Sequence, residues 1–410
     1  EYRNIFPVWD WARIPGTTVP QKAIIPRPTQ WEKPGNSIFA GGVSNVKYGV
    51  TTYSMDNPDF NVNTQAKKSW FMFGEEIVCI GAGIKSTATE EINTTVNQCM
   101  QNGAAVVKHN NSETYIQIGS TSSYTDKLDW IHHNKIAYFF PADGNVNLYF
   151  GPQSGNWQSI TSAQSATTVT SNVFKLWINH GVKPNLAKYQ YIIVPNKTLS
   201  QTRAYDESNI VVAMNTHYIQ AVFNKKLNLW GIVFYAAATF EQEDFSITVD
   251  APCVMMVQNV GSSNVDCWLA DPSQNTSTVN VRYTHTLFDY DKELSLNLPK
   301  IPNSGSTVHF SYNVSTSNEE IIHHQQKNQL SSNFINRGET AFLIYQADVA
   351  QQVMVKVIDL SGKVIVTKTF HSGMEEQKIP IETSALNPGM YFVYTLNSRS
   401  EIRRNPLIVR

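Results

Sequence analysis

Apolar and polar residues alternate at a period of two along most of this chain, and helical periodicity is nearly absent. Alternation puts every second side chain on one face of an extended segment, so the apolar faces must be buried by stacking sheets. Runs rich in β-branched and aromatic residues recur: SWFMF and EIVCI (69–73 and 76–80), TYIQIG (114–119), NVNLYFG (145–151), YQYIIVP (189–195) and NIVVAM (209–214). Clusters of Gly, Pro, Asn and Ser separate them. Two hairpins are expected. WIHH and IAYFF flank a two-residue turn at Asn134-Lys135, and YIQAVF joins LNLWGIVFY through a turn over residues 224–226. The best helix candidate, STATEEINTTVNQCM (86–100), is rich in Thr and poor in Leu and Ala. The fold class is all-β.

Three blocks follow along the 410 residues: 1–240, with long Gly/Pro loops; 241–316, opening with FSITVDAPCVMMVQNV; and a small sandwich-like unit at 331–410. The polar stretch between the last two, 317–330, lacks strand pattern and reads as a linker. Lys and Arg total 32 against 33 Asp and Glu, which argues against a nucleic-acid partner. No apolar run reaches the roughly 18 residues of a membrane-spanning helix. The chain begins at Glu1 without a Met or apolar leader, so any signal peptide is expected upstream. Cys79, Cys99, Cys253 and Cys267 show no metal-binding spacing; Cys253 and Cys267 are left open as a disulfide or as buried thiols.

Self-contained catalytic motifs are lacking. GAGIKS (81–86) follows a strand but has no third glycine and no βαβ pattern, so it reads as a turn rather than a phosphate loop. His132-His133 sit next to a turn and point to opposite faces of a strand, which disfavours a shared metal, and His323-His324 fall in the linker. The carboxylate pairs Glu75-Glu76, Glu319-Glu320 and Glu375-Glu376 have no neighbours in sequence that would tune one as acid and one as base. No catalytic residue, cofactor or metal site is expected. Trp31, in the Pro/Gly-rich RPTQWEKPGNSIFAGG, reads either as a hydrophobic plug or as an exposed platform for a sugar ring. Residues 1–72 hold eight Lys/Arg and five Asp/Glu, a local excess that favours a polyanionic ligand.

EYRNIFPVWDWARIPGTT (1–18) resembles the signature of polysaccharide lyase family 8, which cleaves chondroitin, hyaluronan and xanthan. The resemblance continues through FAGGVSNVKYGV (39–50), QAKKSWFMFGEEIVCIGAGI (65–84), INTTVNQ (92–98) and LWINHGVKPNLAKYQYIIVP (176–195), and is strongest to the chondroitin AC lyases. It implies a large β supersandwich over 1–240, entered part-way, and a smaller β-sandwich domain over 241–316. Residues 331–410 are similar to the Ig-like sorting sandwich of Bacteroidetes type IX secretion cargo, through VKVIDLSGKVI (355–365), LNPGMYFV (386–393) and the closing PLIVR.

The family works by β-elimination on a uronate, using Asn, His, Tyr and Arg of an N-terminal α/α toroid. The resemblance implies a secreted lyase acting on chondroitin-type glycosaminoglycan, of which this chain supplies one wall of the glycan cleft. It implies the toroid of the same protein as partner, and no cleavage by this chain alone. It also favours Trp31 as a sugar platform flanking the cleft. Some relatives bind calcium through acids near the WDW segment; Asp10 remains here, but Ala12, Gln21 and Lys22 hold the other positions. The alternative is a stand-alone carbohydrate-binding or scaffold protein without catalysis.

Overall fold

A computed structural model describes residues 5–25, 35–59, 62–314, 328–346, 351–360, 363–373, 375–397 and 402–410. It forms two compact units, 1–318 and 319–410. Both are built of antiparallel sheets, apart from one short parallel pair in the second.

The organising element of the first unit is a nine-stranded sheet. Its spatial order is Ala40–Ser44, Gly49–Asn57, Thr64–Phe73, Glu76–Ser86, Ala187–Pro195, Ile136–Phe139, Leu128–His133, Ala105–His109 and Ser112–Tyr115. One face packs on a five-stranded sheet (Thr18–Pro20, Glu91–Met100, Val169–Val182, Val146–Gly155, Ser120–Tyr124). Cys79, Ile131 and Tyr138 meet Cys99, Phe150 and Phe174 in that core. The other face packs on a six-stranded sheet containing Ile219–Asn224, Leu229–Phe234 and Cys253–Gln258, where Val50, Phe71 and Val78 meet Val222, Val233 and Met256. Burial on both faces explains why EIVCI and YIIVP are continuous apolar runs instead of alternating ones. Trp230 of the six-stranded sheet meets Phe240 and Phe245 of a four-stranded sheet edge to face, at 5.3 and 5.6 Å.

The Asn134-Lys135 hairpin forms as expected, with His133 paired to Ile136 and both turn residues at positive φ (48° and 61°). The second hairpin differs. Asn224 stays in its strand, paired to Leu229, and the loop is the four residues 225–228. The Asn224 side chain closes that loop by accepting from Leu227 N (3.1 Å) and donating to Glu76 Oε1 (2.7 Å), while Asn228 supplies the positive φ. TYIQIG is extended only as far as Tyr115; beyond it the chain leaves the nine-stranded sheet and enters the five-stranded one at Ser120. STATEEINTTVNQCM contributes the strand Glu91–Met100, consistent with its β-branched content. GAGIKS is no turn but the end of the strand Glu76–Ser86; an added Cβ at Gly81 would enter the Tyr189 ring of the neighbouring strand. Glycine is there for close approach.

Sheet pairing also crosses residue 240. The six-stranded sheet joins Ile210–Asn215, Ile219–Asn224 and Leu229–Phe234 to strands from 253 to 313. Cys267 pairs across from Val257, four residues along the strand from Cys253, or about 13 Å at strand rise. All four cysteines are buried, and none of them forms a disulfide with another.

The second unit has a three-stranded sheet (Asn328–Leu330, Thr340–Tyr345, Gln377–Glu382) and a five-stranded one (Phe334–Ile335, Ile402–Val409, Gly389–Asn397, Gln351–Asp359, Val364–Ser372). Leu343, Val355, Val357, Val393 and Leu407 share its core. Asn328–Leu330, expected within the linker, pairs with Thr340–Tyr345 and buries Leu330 in that core. Residues 315–327, with His323-His324 and Glu319-Glu320, lie outside the described residues.

An added Cβ at Gly231 would stand 2.5 Å from the Phe71 ring and 2.7 Å from Val50, across the contact between the nine- and six-stranded sheets. Gly231→Ala is expected to destabilise the first unit by about 1–3 kcal/mol through overpacking. Urea unfolding followed by tryptophan fluorescence measures this; an unchanged midpoint means that the sheets are free to move apart there.

Candidate functional site

The WDWARIPGTT segment lies on the five-stranded sheet. Pro7 favours the 3-10 turn Phe6–Val8, and Ile5 and Val8 are buried against Val173. Gln98, itself buried, holds the following residues by their backbone: its Oε1 accepts from Asp10 N (2.9 Å), and its Nε2 donates to the carbonyls of Asp10 (3.0 Å) and Arg13 (2.9 Å). Phe6, Trp9 and Trp11 cluster with ring centres 6.0–6.3 Å apart, and Phe6 and Trp11 remain exposed. The Asp10 carboxylate lies between Arg13 Nε (3.2 Å) and Lys175 Nζ (3.3 Å). Those cations also cover rings, with Arg13 at 3.9 Å over Trp177 and Lys175 at 4.9 Å over Tyr149. Exposed aromatic faces thus stand beside two cations that share one carboxylate.

At the remaining positions raised for calcium, Gln21 Nε2 donates to the carbonyls of Ala12 (3.0 Å) and Val19 (3.2 Å), and Lys22 Nζ pairs with Glu90 (2.8 Å). Among the described residues no three His, Cys, Asp or Glu side chains converge on a metal position.

A cavity of about 680 Å³ opens where the nine-stranded sheet meets loops of the six-stranded-sheet region. Lys67, Lys85, Asp56 and Gln65 line it from the nine-stranded sheet, His217, Tyr235 and Ser273 from the opposite side. Lys67 Nζ donates to Ser54 Oγ (2.6 Å) and stands 5.0 Å from the Tyr235 ring centre. The Tyr235 hydroxyl is tied to Thr52 Oγ1 (2.8 Å), Ser69 Oγ (3.0 Å) and Gln220 Oε1 (2.8 Å).

Trp31 lies outside the described residues, five positions before Asn36 of the cavity rim. Glu75 and Glu76 prove to be tuned apart, which their sequence neighbours do not reveal. A hydrogen bond from Lys197 (2.7 Å) lowers the pKa of exposed Glu75, whereas burial raises that of Glu76, whose partners are Tyr205 and Asn224. Neither carboxylate lines the cavity, so the pair reads as loop-fastening chemistry.

The profile of polysaccharide lyase family 8, super-sandwich domain, matches residues 1–206, half of the sequence. The chain belongs to polysaccharide lyase family 8. The family's C-terminal beta-sandwich domain matches residues 211–280, and a secretion system C-terminal sorting domain matches 340–410, which marks this family 8 chain for secretion. It is 36% identical to chondroitinase-AC of Pedobacter heparinus over 75% of this chain and 43% of that protein. It is 30% identical to xanthan lyase of a Bacillus species over 78% of this chain and 34% of that one. The solved structure of a chondroitinase AC lyase in complex with oligosaccharides superposes with a TM-score of 0.70 at 34% identity, covering 75% of this chain and 45% of that one. The chain therefore spans less than half the length of these relatives.

Two imidazoles sit inside the supersandwich of this family 8 chain. His133 stacks on Phe174 (4.4 Å between ring centres, 7° between planes) and accepts from Asn102 N at 3.2 Å; His132, on the other face, contacts Lys197 O through Nε2 at 2.9 Å. His180 Nε2 is 2.8 Å from Thr94 Oγ1. Burial holds both His133 and His180 neutral, with pKa values down to about 4, and charge on His132 and Lys68 adds to the effect at the two sites respectively. Unfolded imidazole protonates near pH 6.5, so as pH falls from 6.5 to about 4 the unfolded chain gains protons that the native chain refuses. Stability is expected to fall through that window by on the order of 3 kcal/mol per site. Comparing urea unfolding of wild type and His133→Phe at pH 7.5 and 4.5 tests this. The variant should lose about 1 kcal/mol at pH 7.5 with the Asn102 contact and show a visibly smaller acid loss. Equal acid losses mean that His133 titrates normally.

Proposed function

We propose that this chain is the β part of a secreted lyase that degrades chondroitin-type glycosaminoglycan by β-elimination, forming one wall of the glycan cleft. The observation that carries it is the succession of both family 8 β domains, in order, at 36% identity to chondroitinase-AC. The exposed Phe6 and Trp11 rings suit a ligand with sugar faces. Trp31 adds a platform at the cleft in this proposal. The stand-alone carbohydrate binder, the second possibility, is favoured by the cavity lined by Lys67, Lys85 and Tyr235.

Elimination needs a base for the proton alpha to the uronate carboxylate, a group that neutralises that carboxylate, and a proton for the departing glycoside oxygen. The proposal assigns these roles to a helical toroid domain. Removing groups that act as a unit abolishes nearly all acceleration. Residues 1–410 alone are therefore expected to release no unsaturated uronate from chondroitin, read as ultraviolet absorbance of the product, and to release it once the toroid of a family 8 lyase and the β segment joining it to Glu1 are fused ahead. Product formation by the purified chain that a substitution in this chain abolishes overturns the division of labour.

Trp31→Ala in the full chain is expected to weaken binding of a chondroitin hexasaccharide by about 1–2 kcal/mol, the scale of one lost aromatic contact. Its melting temperature should stay put. A loss of several kcal/mol of stability instead, as for Trp→Ala in a core, identifies Trp31 as a hydrophobic plug.

A further inference from the structure

We propose that the cavity beside Lys67 and Lys85 is a binding site for an anionic pyranose, a sugar unit carrying a carboxylate or a sulfate. Two lysines line it, and neither forms an ion pair among the described residues. The carboxylate lining it, Asp56, accepts from Gln65 Nε2 at 3.0 Å. The cavity therefore carries an excess of positive charge. Lys67 is positioned in advance, half-buried, with Nζ on Ser54 Oγ at 2.6 Å and its ammonium against the Tyr235 ring. Burial also lowers its pKa, as expected for a cation with little water around it. A bound anion would restore what that desolvation costs.

The rest of the lining narrows the ligand class. Ile38 and Leu186 are 63% and 59% exposed, and with Met55 and Pro252 they give an apolar wall for the CH face of a ring. Asn36, Ser37, Ser273 and Thr276 add short polar groups suited to several hydroxyls. A stacked nucleobase fits less well, because Lys67 stands over the Tyr235 ring and Phe39 packs against it at 5.2 Å. At about 680 Å³ the cavity is in the usual range for small-ligand sites. The proposal stands on this cavity and not on the lyase proposal.

The test titrates the full 410-residue chain with glucuronic acid, N-acetylgalactosamine 6-sulfate and neutral N-acetylgalactosamine, followed by ligand-observed NMR. At least one acidic sugar should bind and the neutral one should not; which acidic sugar binds separates carboxylate from sulfate recognition. The double variant Lys67→Met/Lys85→Met should lower that affinity about tenfold or more, the scale of lost charged hydrogen bonds. Leu186→Glu, at an exposed rim residue, should weaken it as well without touching the fold. Trp31→Ala, made alongside, reports whether the same sugar is held at the proposed cleft instead. No binding of either acidic sugar, or wild-type affinity in both the lysine and the Leu186 variants, overturns the proposal. Binding lost in Trp31→Ala and kept in the lysine variants also overturns it, while leaving the cleft proposal intact.

Discussion

A sheet buried on both faces cannot choose its neighbours by hydrophobicity alone, because either face would accept either partner. In this chain a polar knot supplies the choice on one side. Ser69 Oγ donates to Gln220 Oε1 at 2.6 Å, and the Tyr235 hydroxyl joins both of them and Thr52. Thr52 and Ser69 belong to the nine-stranded sheet and Gln220 to the six-stranded one. Buried polar groups of this kind are costly unless all are satisfied, so sliding one sheet over the other would strand several at once. Gln220 also donates to Lys67 O and Asn215 Oδ1, which carries the same register to the strand that bears the cavity's lysine.

The electrostatics of the first unit follow from how its cations are paired. Around Asp10 two cations share a carboxylate and also rest on aromatic rings, a compact and largely internal arrangement. At the cavity Lys67 has a hydroxyl and an aromatic ring as its direct neighbours, with Asp56 farther off. Lys68, next in sequence to Lys67, points the other way and is almost fully buried, its ammonium bonded to the Gly16 carbonyl and its pKa lowered to about 8 by desolvation. Strand alternation thus sends one lysine of the pair to the cavity and the other into the supersandwich.

The sheet content of this fold was legible because alternation and β-branched runs report local geometry directly. SWFMF and EIVCI form neighbouring strands, and Asn134-Lys135 turns where two polar residues, the first of them tolerant of positive φ, interrupt the run. Family membership was legible too, in long motifs kept in order from EYRNIF onward. What the sequence hid are facts about pairs distant along the chain. Asn224 belongs to its strand because Glu76, 148 residues away, accepts its amide. Gly81 belongs to a strand because Tyr189 covers it, and Glu76 is tuned away from Glu75 because burial raises its pKa while Lys197 lowers that of Glu75. The cavity is assembled from segments between Asn36 and Thr276, and no local period records which loops converge. Trp31 is marked by its Pro/Gly-rich surroundings and by resemblance alone, and lies outside the described residues.

The four thiols carry a consequence for the life of the chain after export. Each is buried, and for Cys79 burial pushes the pKa up to about 12, so almost no reactive thiolate exists at neutral pH. Outside the cytoplasm such a thiol is protected by its surroundings and not by a disulfide partner. Oxidation then becomes a record of opening: a molecule that has never lost its cores keeps four reduced cysteines, and one that has unfolded bears the chemical mark of having done so.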